Sequence, residues 1–191
     1  SDAFYDSIPV IPKNGTLLRE YYGNIYVIFD GAKFHIPDIN TLNRFFANIP
    51  VGQLFWYLSP TISQSNPFIR VIPDIPKNGT LLREESGRIY VIYDGAKFHI
   101  PNMAEFNAMN FDGLNVRQLW NGALINIPIV PNEGTVLKER TSNFIYVITG
   151  GKKHKFSFSI VSERYGGQNA FIRVVPFGSL SSIPTGSPVP V

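Results

Sequence analysis

Three histidines stand out as candidate binding residues, because they recur with similar neighbours along the chain. His35, His99 and His154 are 64 and 55 positions apart. Each lies near a tyrosine and a lysine, and these neighbours are Tyr26 and Lys33, Tyr90 and Lys97, and Tyr146 and Lys152. An aromatic ring beside an imidazole and an ammonium group offers a sugar both an apolar surface and hydrogen bonds. We therefore predict ligand contacts at these nine residues.

Alternative interpretations of the same residues stay open. Three imidazoles meeting on one axis would form a zinc site, but the motif has no carboxylate to orient them, so we expect no metal and no cofactor. The tyrosine, lysine and histidine also fit ordinary cross-strand pairing on a solvated sheet face.

Further candidates lie on either side of these residues. Arg19 and Glu20, with their counterparts Arg83 and Glu84, precede the tyrosines and could rim the same pocket. Trp56 and Tyr57 lie in an aromatic, Ser/Pro-rich segment, which is either a binding platform or a plug between repeats.

Composition and motifs argue against several classes of function. The 191 residues include no cysteine, and the net charge of +3 comes without a run of like charges, so we expect no nucleic-acid partner. No apolar stretch approaches the roughly 18 residues of a membrane span. Nucleophile-elbow, zinc-protease, phosphate-loop and dinucleotide motifs are missing, and repeated carboxylates give matched environments rather than the unequal ones of a catalytic pair. We expect a protein that is not an enzyme.

Internal repetition organises the whole sequence. Residues 11–37 and 75–101 differ at only four positions, Tyr21/Glu85, Tyr22/Ser86, Asn24/Arg88 and Phe29/Tyr93, and a diverged copy spans 130–156. We predict one compact unit over 1–191, made of repeats at 8–73, 74–128 and 129–187 with a tail at 188–191. The first repeat carries an insertion at 48–66.

Each repeat predicts a strand, a hairpin, a short helix and a further strand. Asp94-Gly95 is typical of a type I′ turn, which would pair Tyr93 with Ala96 and Tyr90 with His99. Alternation then puts Val91 on a core face, with the tyrosine, lysine and histidine on a mixed face. The closing strands are expected at 68–71, 115–118 and 171–174. In the third repeat the spacing indicates a bulge or a different turn.

These elements predict an all-β fold with short helices. Three tandem repeats of this size fit a pseudo-threefold, β-trefoil-like arrangement. A linear array of small hairpin-plus-helix modules is the alternative.

The pattern GTLLRE, IYVIxDGxKxHIP and a closing IPxG resembles tandem repeats of secreted or surface-attached bacterial proteins. That resemblance implies an extracellular or cell-surface location and a binding or attachment role, without naming a ligand. Threefold arrays of this size also look like small repeat lectins, so together with the repeated mixed face they predict a lectin-like, multivalent module. Glycans or a glycosylated surface would be the partner, together with other domains of a longer chain. Its alternative is a protein-contacting adhesion or targeting module of a larger secreted hydrolase or toxin.

Overall fold

The computed structural model describes residues 11–20, 23–47, 49, 67–156 and 171–188. The chain divides into two compact units, residues 1–77 and 78–191. The repeat boundaries predicted above stay predictions.

The described residues of unit 1 form one antiparallel sheet and two helices. Its strands follow the order β1-β2-β3 and its elements are β1 (Leu17–Arg19), β2 (Ile25–Phe29), β3 (Ala32–Ile36), α1 (Ile39–Phe46) and α2 (Pro67–Val71). A small core forms where Leu18 and Ile28 of the sheet meet Ile69 and Ile72.

Two four-stranded sheets are formed by the residues of unit 2 that the structure describes. The first has the order β6-β5-β4-β7 and is formed by β4 (Leu81–Glu84), β5 (Ile89–Tyr93), β6 (Ala96–Ile100) and β7 (Val116–Leu119), with α3 (Met103–Ala108) before β7. The second has the order β10-β9-β8-β11 and is formed by β8 (Val136–Glu139), β9 (Ile145–Thr149), β10 (Lys152–Phe156) and β11 (Ile172–Val175). β7 pairs with β4 in parallel and β11 pairs with β8 in parallel, whereas the other neighbouring strands are antiparallel. The prediction of a mainly β fold with short helices is confirmed.

The hairpins follow from their turn residues. Tyr93 pairs with Ala96 and Tyr90 with His99, as predicted, and the same register holds for the hairpin of unit 1. Asp94 and Gly95 have φ of 47° and 85°, the left-handed values that a type I′ turn needs.

The third hairpin contradicts the predicted bulge or altered turn. Lys152 pairs with Thr149 across a two-residue turn of Gly150 and Gly151, whose φ values are 57° and 71°. Glycine adopts this conformation without steric cost, so the turn is kept although the sequence changes. The extra residue of this repeat lies before β9, and nothing is lost after it.

The helices after the first two hairpins are confirmed and begin at side-chain caps. Asp38 accepts a hydrogen bond of 2.7 Å from the Thr41 amide, and Asn102 accepts one of 2.8 Å from the Glu105 amide. Such caps satisfy amides that have no partner inside the helix.

The closing strand predicted at 68–71 is wrong, because this segment is the helix α2. Ile69 and Ile72, three positions apart, are both buried. That spacing matches the buried pairs of the two turn segments after β7 and β11, which are Leu124 with Ile127 and Leu180 with Ile183. The segment is thus the counterpart of those turns. Residues 68–71 and 171–174 share the sequence FIRV, but the two segments lie at different places in their repeats.

The core of unit 2 lies between its sheets. Val91 and Phe98, on the predicted core face of the first sheet, join Leu137 and Ile148 of the second sheet in one buried cluster. The 3₁₀ turn at Ser179–Ser182 contributes Leu180 to the same cluster. Among the described strands of this unit, none pairs with a strand of the other sheet. The buried side-chain cluster therefore joins the sheets without a strand ladder, together with a backbone hydrogen bond of 2.9 Å from the Asn132 amide to the Asp94 carbonyl in the β5–β6 turn.

Candidate functional site

The second face of the first sheet in unit 2, formed by Tyr90, Ile92, Lys97 and His99, is here called the tyrosine face. The Tyr90 and His99 rings have centroids 5.4 Å apart, and the Lys97 ammonium lies 5.9 Å from the Tyr90 centroid. His99 is exposed, Tyr90 and Lys97 are half-buried and Ile92 is fully buried. Only the His99 end of this face is therefore open to a ligand.

The lysine of the face binds the backbone of its own unit. Lys97 Nζ donates to the Leu124 carbonyl, and Lys33 Nζ donates to the Ile72 carbonyl at 2.6 Å in unit 1. Burial lowers the pKa of Lys97, while the charge of Glu84 acts in the opposite direction. The lysine thus holds the turn segment against the sheet, which is a structural role that the sequence did not indicate.

The Arg and Glu neighbours separate onto opposite faces. Arg83 pairs with Ile89 and therefore points away from Tyr90, as Arg19 does from Tyr26 in unit 1. Glu84 lies on the tyrosine face, where its Oε1 accepts a hydrogen bond of 3.1 Å from the Gly122 amide. These pairs do not rim one pocket together.

The second sheet of unit 2, in the third repeat, has an equivalent tyrosine face around Tyr146, but its register brings different residues there. Tyr146 lies opposite Lys155, and Lys153 Nζ lies 6.0 Å from the Tyr146 centroid and donates to the Leu180 carbonyl. The predicted contacts Lys152 and His154 lie on the other face, with His154 in the place of Phe98.

The His154 ring is held by the chain around it. Its Nδ1 lies 2.8 Å from the Ser187 carbonyl oxygen and its Nε2 lies 3.2 Å from the Thr149 carbonyl oxygen. A Cβ at Gly186 would overlap the ring, so glycine is required there. The histidines keep the spacing of the repeat glycines, but His154 does not occupy the position of His35 and His99 in its hairpin.

The remaining two predicted contacts, Trp56 and Tyr57, lie outside the described residues.

A pocket of about 240 Å³ opens beside His35 in unit 1. Its lining mixes polar and apolar groups, mainly His35, Asn24, Asp38, Ile25, Pro37 and Ile39. The Asp38 carboxylate also caps α1, and the hydrogen bond from the Thr41 amide lowers its pKa. Sequence reasoning found His35 but missed Asn24 and Asp38. Asn24 had a signal, since it is one of the four differences between the first two repeats.

Comparison with family models, curated proteins and solved structures finds no match to this chain. Within the described ranges, no group of three His, Asp or Glu side chains is placed to hold a metal ion. The described helices are also too short or too polar to cross a membrane.

We expect His99 to titrate below the usual histidine pKa of about 6.5. Burial lowers its pKa, and the positive charge of Arg88 lowers it further. Because the unfolded chain takes up the proton more readily, acidification through this range costs stability at His99. Proton NMR of the imidazole follows the titration. The Arg88→Asn variant should raise the midpoint, and an unchanged midpoint would show that Arg88 does not act on the ring.

Proposed function

We propose that this chain is a non-catalytic module that binds carbohydrate on an extracellular or cell-surface glycan. The observation that supports this most directly is the pocket beside His35, where apolar Ile25 and Ile39 lie next to the polar groups of Asn24 and His35. A sugar presents the same combination, with an apolar ring face and a rim of hydroxyl groups.

The Tyr26 ring extends the apolar part of this site. Its centroid lies 5.4 Å from that of His35, and it is only half-buried. An aromatic ring covers the C–H face of a pyranose, while imidazole and amide groups exchange hydrogen bonds with hydroxyls. Tyr90 and His99 repeat the geometry at the same 5.4 Å.

The repeated site favours binding over catalysis. Two sites on the same frame of tyrosine, isoleucine, lysine and histidine gain avidity on a multivalent surface, whereas the two members of a catalytic pair need unequal surroundings. The β-trefoil-like arrangement belongs to this proposal, with the linear array as its alternative. Packing of the first sheet's core face onto the tyrosine face of the second sheet in unit 2 favours the array.

A glycan array with the purified chain tests the proposal, run with and without EDTA. We expect selective binding that survives EDTA and falls about tenfold in the His35→Ala, His99→Ala double variant, as loss of one or two hydrogen bonds would give. Gln118→Ala is the control, since this exposed residue lies on β7 away from both histidines in sequence. A blank array, or full binding by the double variant, would contradict the proposal.

A protein-contacting adhesion module is the second candidate, favoured by apolar side chains around β11. Phe171, Val174 and Phe177 are exposed to 70%, 42% and 54%. Exposed apolar side chains mark interaction surfaces when they form a contiguous patch. Surface binding that survives periodate oxidation of glycans and is lost in Phe171→Ser would favour this candidate over the first.

A further inference from the structure

Each sheet carries one exposed pair of side chains at the open end of its tyrosine face, which we call the edge pair. The three edge pairs are Asn24 with His35, Arg88 with His99, and Phe144 with Lys155. In each, the first residue precedes the central strand and the second lies on the last strand of the hairpin. Residues related in this way are diagonal neighbours on one face, with Cα atoms roughly 7–8 Å apart.

Contacts show that the members of the first and third pairs are close. Asn24 and His35 line one pocket. Lys155 Nζ lies 3.3 Å from the centroid of the Phe144 ring. Arg88 and His99 hold the same diagonal positions in the register of β5 and β6, and the positive charge of Arg88 adds to the lowering of the His99 pKa by burial.

The edge pairs vary on a constant frame. Tyrosine, isoleucine and lysine keep their places in all three sheets, at Tyr26, Ile28 and Lys33, at Tyr90, Ile92 and Lys97, and at Tyr146, Ile148 and Lys153. These frame residues are buried or half-buried, whereas all six edge-pair residues are exposed. A constant frame with a variable exposed pair is the arrangement by which one scaffold presents different binding sites.

The chemistry of the pairs differs in charge. Arg88 provides a planar guanidinium that can donate two hydrogen bonds to a carboxylate, and an imidazole N–H of His99 can donate a third. Asn24 is neutral, and Asp38 beside it would repel an anion. In the third pair the Lys155 ammonium covers one face of the Phe144 ring, so this pair presents a cation on an aromatic ring in place of an imidazole.

We propose that the edge pair sets the ligand of each repeat, so that Arg88 and His99 bind a carboxylate-bearing sugar while Asn24 and His35 bind a neutral one. This inference rests on the proposed carbohydrate function and assigns the ligand class of its sites.

Proton NMR of the full chain tests the inference site by site, because the three histidines lie in three different repeats. The probes are methyl glucuronide and methyl galacturonide, each matched with its neutral glycoside, and sodium acetate. The shift of the His99 signal with ligand concentration gives a dissociation constant for each probe. We expect this constant to be at least tenfold lower for the uronides than for the neutral glycosides, the ratio that one charge-assisted hydrogen bond gives. The neutral glycosides should shift His35 instead.

Reciprocal variants identify the residue responsible. Arg88→Asn should remove the uronide preference at His99, and the Asn24→Arg, Asp38→Asn double variant, which gives unit 1 the residues of the second repeat, should create one at His35. Arg70→Asn is the control, because it removes the same charge from an exposed position on α2. A uronide preference that persists in Arg88→Asn overturns the inference.

Three further outcomes are distinct. An acetate response equal to the uronide response overturns the assignment of a sugar to the Arg88 site. If neutral glycosides bind at both histidines without a charge preference, the inference fails and the proposed function stands. If no sugar shifts either signal in the folded chain, the proposed function itself fails.

Discussion

The Phe98→Ala variant is expected to lower the free energy of unfolding by about 3–5 kcal/mol, the usual cost of deleting a buried phenyl ring. Phe98 is 1% exposed and lies in the cluster that joins the two sheets of unit 2, where Val91 and Leu137 are its companions. Neighbouring side chains relax only partly around such a deletion, so a cavity remains. Urea unfolding followed by circular dichroism measures the loss.

Phe177→Ala is the matched control, since the same side chain is 54% exposed there. Its deletion should change the unfolding free energy by no more than about 0.5 kcal/mol. Equal effects of the two variants would mean that Phe98 does not lie in a packed core. The comparison thus tests directly whether the two sheets stack through their side chains.

Local signals predicted the hairpins well because the turn residues decide them. Asp94 and Gly95 adopt the positive φ values that few other dipeptides tolerate, and pairing then follows by counting outward. The face of each side chain follows from the same count. This is why Tyr90 and His99 were correctly placed together from the sequence.

Spacing alone misled where a single insertion shifts the count. His154 keeps the 55-residue interval of the repeat glycines, but the extra residue before β9 moves every later position by one. Lys155, not His154, therefore takes the place of His99. Aligning the hairpin by its own strand letters, with Tyr146 on Tyr90, would have found this.

The sequence could not reveal which distant segments of the chain pack on the tyrosine face. Lys97 reaches the Leu124 carbonyl, 27 residues away, and Ile92 on the same face is fully buried. Alternation tells which side chains share a face but not what packs on that face. The candidate site shrinks from a whole face to its exposed edge for this reason.

The Glu105→Gln variant is expected to lower the free energy of unfolding by about 2 kcal/mol, the value of charge-assisted hydrogen bonds in a buried setting. Glu105, on α3, is 6% exposed and accepts hydrogen bonds of 3.0 and 2.7 Å from Arg140. Its Oε1 also accepts one of 2.9 Å from the Phe177 amide. Gln keeps the shape, loses the charge and replaces one acceptor oxygen with an NH2 donor, so the loss measures what the carboxylate contributes to this contact between the two sheets' segments.

Acid should abolish this difference between the wild type and Glu105→Gln. The Arg140 hydrogen bond lowers the pKa of Glu105, with smaller help from the Phe177 amide and the Arg140 charge. A lowered carboxyl pKa gives stability that is complete above the unfolded value of about 4.3 and is lost as the pH falls through the folded value. Urea midpoints at pH 7 and pH 2.5 should therefore differ between the two proteins only at the higher pH. An advantage of the wild type that persists at pH 2.5 would show that the Glu105 carboxylate does not hold the segments through its charge. In that case the Arg140→Gln, Glu105→Gln double variant would have a lower free energy of unfolding than Glu105→Gln alone.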